Sequence, residues 1–104
     1  MYALRDRGRA LEDKFAYDQT VQFRAEARRN KLLGLWAASL IGADNADAYA
    51  HDLVSSALDH NGPHDVVTKL RHDFDAAGVA VPDEELTTRM HDVLVDVLRE
   101  MQAA

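Results

Sequence analysis

Cysteine is absent from this sequence, and proline occurs only twice in 104 residues. Without cysteine, the chain can have no disulfide framework, no thiolate metal site and no cysteine nucleophile. No apolar run is long enough to cross a bilayer, and the charged stretch from Met1 to Ala10 lacks the apolar core of a secretory signal. These absences predict a single small domain in the cytoplasm, where a reducing environment suits a chain without disulfides.

Strand-like alternation is also missing, whereas apolar residues recur at helical spacing in four segments. The spacing predicts helices from about Thr20 to Ile41, from Asp44 or Asn45 to Asn61, from Pro63 to Ala77, and from Asp83 to Met101. We expect Gly42 and Gly78 to end the first and third helices and Asp83 to cap the fourth. Four helices with short loops predict an all-α fold, an antiparallel four-helix bundle over residues 20–104.

Each predicted helix has an apolar stripe that we expect to face the core. The stripe of the first helix consists of Phe23, Ala27, Leu33, Trp36, Ala37, Leu40 and Ile41. The other stripes run from Ala46 to Leu58, from Val66 to Ala77 and from Leu86 to Met101. We expect Trp36, the only tryptophan, to lie in the core, where its indole N–H needs an acceptor.

Charge is distributed unevenly along the chain, although the net charge is only −6. Residues 1–31 carry eight Lys/Arg and five Asp/Glu, a net of +3, whereas residues 32–104 carry four and thirteen, a net of −9. A basic segment on an acidic body indicates a partner with an acidic surface. The acidic body argues against nucleic acid, because nucleic-acid binders need a broad positive surface.

The first 19 residues form a weak helical pattern. Only Leu4, Leu11 and Phe15 line one side of it, which is too little apolar surface to hold a helix against a core. Gly8 lowers the helix propensity further. We therefore expect residues 1–19 to be a flexible, partly disordered arm that becomes an amphipathic helix in a partner's groove.

A basic patch, Arg24, Arg28, Arg29 and Lys31, follows the arm in the first helix. It is either a solvated helix face that pairs with the acidic body, or a docking surface for a partner's carboxylates or for phosphate. Charge alone leaves both interpretations open.

Catalytic and metal-binding patterns are weak. His60 and His64 have a spacing that suits two ligands on one helix, but Asn61, Gly62 and Pro63 separate them. The sequence has no glycine-rich phosphate loop and no nucleophile with a paired base. We expect no metal, no cofactor and no enzymatic activity.

Two segments resemble a known family. Residues 6–18 and, more specifically, residues 23–38 are similar to the zeta subunit of the alphaproteobacterial F-type ATP synthase. The similarity continues more loosely through residues 48–50, 65–66, 69 and 78–79. Gly8 and the turn at residues 61–64 depart from the acidic residues that the family usually has there.

The resemblance implies an inhibitor of ATP hydrolysis, built as a four-helix bundle with a mobile N-terminal arm. The arm would insert at a catalytic α/β interface of the synthase head, against the rotor subunit γ, and block rotation. The protein would be peripheral at the inner membrane through the synthase, without inserting into the membrane, and monomeric when free. The partner-binding positions carried over are Asp6, Arg7, Glu12, Lys14, Phe15, Asp18, Phe23, Arg24, Arg28, Arg29, Asn30 and Lys31. Leu11 joins them as an expected apolar anchor beside Phe15.

Two alternatives remain at this point. A nucleotide-sensing or small-ligand-binding bundle would hold phosphates, weakly, with Arg28, Arg29 and Lys31. A regulator of another kind would dimerise through an apolar face.

Overall fold

The computed structural model describes residues 19–60 and 63–103. Within these two ranges the chain forms four α-helices and no strand. They are α1 (Gln19–Ile41), α2 (Ala46–His60), α3 (Pro63–Ala77) and α4 (Asp83–Ala103). No helix in this part of the chain is long and apolar enough to cross a membrane. The all-α prediction and its four helices are confirmed, whereas all of the predicted arm except Gln19 lies outside the described residues.

Glycine ends α1 and α3, as the sequence predicts. Gly42 and Gly78 both have a φ of 71°, the left-handed conformation that residues with a side chain rarely adopt. The next residues, Ala43 and Val79, each donate their N–H to the carbonyl five residues earlier, at 3.0 and 2.9 Å. These bonds satisfy carbonyls that the end of a helix leaves without an intrahelical partner.

The two predicted helix starts differ in outcome. Asn45 caps α2, since its Oδ1 accepts from the N–H of Ala48 at 3.0 Å. Asp83 does not cap α4, because the helix already includes it and its carboxylate accepts hydrogen bonds from Arg71. Pro82 is the residue before the helix, and its carbonyl accepts the first helical bond, from Leu86 N at 3.1 Å. An arginine on the preceding helix thus competes for the side chain that the sequence assigns to the cap.

Antiparallel packing brings Gln19 and Ala103 to one end of the bundle. Arg28 of α1 pairs with Glu100 of α4 at 3.3 Å, whereas Trp36, two turns later, lies 4.3 Å from Arg89. We call the end of the bundle at which Gln19 and Ala103 lie the terminal end.

The core is concentrated away from the terminal end. Its main cluster joins all four helices and the loop before α4, and consists of Leu33, Ala37, Leu53, Val66, Leu70, Phe74, Val81, Leu86 and Met90. Nearer the terminal end, a smaller cluster of Ala25, Val97 and Leu98 joins only α1 and α4. The first half of α1 is therefore held by fewer apolar contacts than the second half.

The predicted stripe of α1 is partly wrong. Phe23 and Leu40 are 57% and 43% exposed, although the sequence predicts both in the core. Apart from Leu33, the buried face is made of small and polar residues; the whole face consists of Ala25, Arg29, Asn30, Leu33, Gly34, Ala37 and Ala38. Small residues let α1 approach its neighbours closely, and a phenylalanine would not fit in the same space.

Candidate partner-binding surface

The predicted basic patch is split by the structure. Arg24, Arg28 and Lys31 are exposed, whereas Arg29 is only 6% exposed. Three of the four residues of the basic patch are therefore exposed and Arg29 is not, because successive residues of a helix point in different directions. The predicted arm positions Asp6, Arg7, Leu11, Glu12, Lys14, Phe15 and Asp18 lie outside the described residues.

Arg29 and Asn30 are buried together between helices. Arg29 Nε donates to Asn30 Oδ1 at 3.1 Å, and Asn30 is 5% exposed. Burial lowers the pKa of the Arg29 guanidinium, and the nearby carboxylate of Glu26 opposes this shift. Both side chains therefore contribute to the packing of α1. Arg29 is accessible only at the floor of a groove between α1 and α2, which is described next.

An open groove of about 230 Å³ lies between α1 and α2 near the terminal end. Its rim carries Phe23 and Leu58, which are 57% and 54% exposed. Glu26, Ala27, Arg29, Asn30, Val54 and Ala57 complete its lining. We call it the terminal groove. The sequence predicts Phe23 as a partner-binding residue but misses Leu58, which it assigns to the core.

Only the width of the apolar stripe on α2 could have indicated from the sequence that Leu58 is exposed. Apolar residues of α2 occur at Tyr49, Ala50, Leu53, Val54, Ala57 and Leu58, which covers a broad part of the helix surface. In the structure Ala50 and Leu53 are buried, and Leu58 is left at the exposed edge. A stripe wider than one neighbouring helix leaves apolar residues in solvent.

A second open pocket, of about 590 Å³, adjoins the terminal groove. Arg28, Lys31 and His51 line it together with Asp47. Arg29 does not, so the structure does not assemble the predicted phosphate-binding set of Arg28, Arg29 and Lys31. Arg28 also pairs with Glu100, although both side chains are more than half exposed, so this ion pair is weak and exchangeable.

Family comparison adds the decisive observation. Residues 1–100 match the family described as ATPase inhibitor subunit zeta, which is nearly the whole chain and includes the first 18 residues. The chain belongs to this family. The predicted family resemblance is confirmed, and membership makes the chain an ATPase inhibitor subunit, a regulatory class of protein. A comparison with individual curated proteins gives no match.

In this zeta-family chain, Trp36 lies beside the core. Its ring meets Phe74 edge-on, with centroids 5.5 Å apart, and it packs against the main cluster. The guanidinium of Arg89 lies 4.3 Å from the Trp36 centroid on another side, a cation–π contact. The prediction that Trp36 lies in the core is correct in part, since the ring packs against the main cluster but is only partly buried.

Metal-binding geometry is not found in the described part of this zeta-family chain. Among the side chains that the structure describes, in residues 19–58 and 66–102, no three His, Asp or Glu side chains are close enough together to hold a metal ion. The predicted division into an arm at residues 1–19 and a bundle at residues 20–104 stays a prediction.

Proposed function

We propose that this chain inhibits ATP hydrolysis by the catalytic head of the F-type ATP synthase. The observation that carries the proposal is the extent of the family match, which covers residues 1–18 as well as the bundle. In the proposal, residues 1–18 fold as a helix into a catalytic α/β interface, against the rotor subunit γ, and stop rotation. The bundle stays outside and holds the inhibitory segment at the head, so the protein is peripheral at the membrane and does not insert into it.

The surface next to Gln19 supports this arrangement. Phe23, Arg24, Arg28 and Lys31 are exposed along the first three turns of α1, directly after the proposed inhibitory segment. An exposed aromatic ring beside three cations suits a partner surface that carries apolar groups and carboxylates. The interface of the segment therefore continues onto α1.

The energetics require apolar anchors in the segment. Ordering the backbone costs about 1–2 kcal/mol per residue. Burying Leu11 and Phe15 returns about 1.5–3 kcal/mol each, and helix hydrogen bonds and charge pairs with the head must supply the rest. We assign the charge pairs to Arg7, Lys14 and the exposed cations of α1.

The double variant Leu11→Ser/Phe15→Ser tests this assignment. If each anchor contributes about 2 kcal/mol, the concentration for half-inhibition of ATP hydrolysis rises by a factor on the order of 10²–10³. The control is Leu40→Ser, which also removes an exposed leucine but lies at the other end of α1. Equal inhibition by the double variant and the unaltered chain would show that the segment does not bind through these residues.

A further inference from the structure

Two of the three large apolar side chains that are exposed in the described residues, Phe23 and Leu58, share the terminal groove. The third, Leu40, lies at the opposite end of α1. Two large apolar groups on opposite rims of one groove are the pattern of a binding site, whereas single exposed apolar residues are common. A volume of about 230 Å³ is enough for one large side chain.

The floor of the groove carries a buried cation. Arg29 is 6% exposed and donates Nε to Asn30, and among the described side chains no carboxylate pairs with it within 4.0 Å. Among the described side chains of the lining, Glu26 is the only carboxylate. A buried guanidinium gains most from an occupant that brings a carboxylate into the groove. The groove therefore suits a segment with apolar side chains next to acidic ones.

Such a segment lies a short distance along the same chain. Leu11 and Phe15 flank Glu12 and Asp13, two apolar groups around two carboxylates. Residues 1–18 lead directly into α1, which begins at Gln19, one turn before Phe23.

The chain is long enough for this segment to fold back. Phe23 lies about 6 Å along the helix axis from Gln19, and the four residues from Phe15 to Gln19 span up to about 13 Å. Arg29 lies about 15 Å along the axis, and the six residues from Asp13 to Gln19 span up to about 20 Å. The extended chain therefore exceeds the axial distance to either site, which leaves some length for a reversal of direction before Gln19.

We propose that, in the free protein, the terminal groove binds residues 11–15 of the same chain. Phe15 or Leu11 packs between Phe23 and Leu58, and the carboxylate of Glu12 or Asp13 faces Arg29. The tether gives the segment an effective concentration in the millimolar range, so a weak intrinsic affinity populates the docked state. The docked residues are those that would enter the synthase head, so docking competes with inhibition. This consequence rests on the proposed function, whereas the docking itself does not.

A spin label tests the docking in the full chain. Because the sequence has no cysteine, Gly8→Cys provides a single attachment site. We expect the label to broaden the NMR signals of the Leu58 and Val54 methyl groups, and to leave those of Leu40 sharp. Adding Leu11→Ser/Phe15→Ser should restore the Leu58 signals, since the label is then no longer held at the groove. Equal broadening with and without the two anchors would overturn the proposal.

A mixed sample separates self-docking from pairing of two chains. Spin-labelled chains without isotope are combined with isotope-labelled chains that carry no spin label. Sharp Leu58 signals in this mixture support docking within one chain. Broadened signals would overturn it in favour of a second copy as the occupant.

Inhibition of ATP hydrolysis tests the regulatory consequence. If the segment is docked in about nine molecules of ten, Leu58→Ser should strengthen inhibition about tenfold, and Leu40→Ser should not change it. Unchanged inhibition by Leu58→Ser, together with a positive spin-label result, would overturn the competition but not the docking. If the unaltered chain does not inhibit, the proposed function fails, and the spin-label result still decides the docking.

Discussion

The Asp73 carboxylate joins α2 to α3 through several short contacts. Tyr49 Oη donates to its Oδ2 at 2.6 Å and Lys69 Nζ at 3.1 Å, while His72 Nδ1 lies 3.3 Å from Oδ1. Burial raises the pKa of Asp73, but the hydrogen bonds from Tyr49, Lys69 and His72 outweigh burial and lower it. The pKa of Tyr49 is raised, mainly by burial and to a smaller extent by the hydrogen bond to Asp73. At neutral pH the pair is therefore a phenol that donates to an ionised carboxylate.

Asp73→Asn should lower the free energy of unfolding by about 1–2 kcal/mol at pH 7, because the amide is a weaker acceptor than the carboxylate. Since folding lowers the Asp73 pKa, its stabilisation is fully present above the ordinary carboxyl pKa of about 3.9. It is lost as the pH falls through the lower pKa of the folded protein. Urea unfolding at a series of pH values should show that the free energies of unfolding of Asp73→Asn and of the unaltered chain converge as the pH falls into the acid range.

Asp52→Asn is the matched control for this measurement. Asp52 is an exposed carboxylate on α2, one turn from Tyr49. Its removal should change stability little at any pH. A difference between Asp73→Asn and the unaltered chain that persists unchanged in acid would contradict the ionised pairing.

At the scale of helices, Gly34 sets the distance between α1 and α2. A Cβ built on Gly34 would lie 2.6 Å from the Cα and 2.9 Å from the Cβ of Ala50. The obstacle is backbone and not a flexible side chain, so the two helices would have to move apart. Glycine in the middle of a helix is otherwise unfavourable, and here close packing explains it.

Gly34→Ala should therefore destabilise the protein by about 1–3 kcal/mol through overpacking, although alanine favours helix by about 1 kcal/mol over glycine. Thermal unfolding followed by circular dichroism measures the change. The control is Ser39→Ala, an exposed site on the same helix, which should be neutral or slightly stabilising. A more stable Gly34→Ala protein would mean that α1 and α2 do not cross this closely.

Helix bounds could be predicted from the sequence because their signals are local. Gly42, Gly78 and Asn45 act through their own backbone conformation or through a hydrogen bond a few residues away. The buried stripes of α3 and α4 also agree with prediction at Val66, Phe74 and Leu86, among others, since large apolar residues dominate there.

The buried face of α1 could not be predicted in the same way. It combines Ala25, Gly34 and Ala38 with the polar Arg29, and apolar periodicity gives such residues little weight. Which face is buried depends on how closely α2 and α4 approach, a property of three helices and not of one. The terminal groove was missed for the same reason, because the exposure of Leu58 depends on which neighbouring helices reach it and not on the pattern of α2 itself.

At the scale of the whole molecule, charge asymmetry makes the proposed binding dependent on salt. Residues 1–31 carry +3 and residues 32–104 carry −9, so the basic first half of α1 is the part that favours an acidic head. Arg24→Gln should weaken inhibition of ATP hydrolysis by up to about fivefold at low ionic strength, as expected for one exposed charge pair. The difference should shrink at high ionic strength, where salt screens exposed charges.

Arg99→Gln makes the same change in net charge on α4 and is the control for Arg24→Gln. Arg99 is exposed and lies 4.0 Å from Asp96 on the same helix. Its loss should leave inhibition nearly unchanged. Equal effects of the two substitutions would indicate that net charge, and not the surface of α1, governs binding.

The most direct test of the account is ATP hydrolysis by the isolated catalytic head of the cognate synthase. The head is assayed alone, with the full chain and with residues 19–104, whose helical content is first verified by circular dichroism. We predict that the full chain inhibits hydrolysis and that residues 19–104 remain helical but do not inhibit. Inhibition by residues 19–104 as strong as that by the full chain would contradict a mechanism based on residues 1–18.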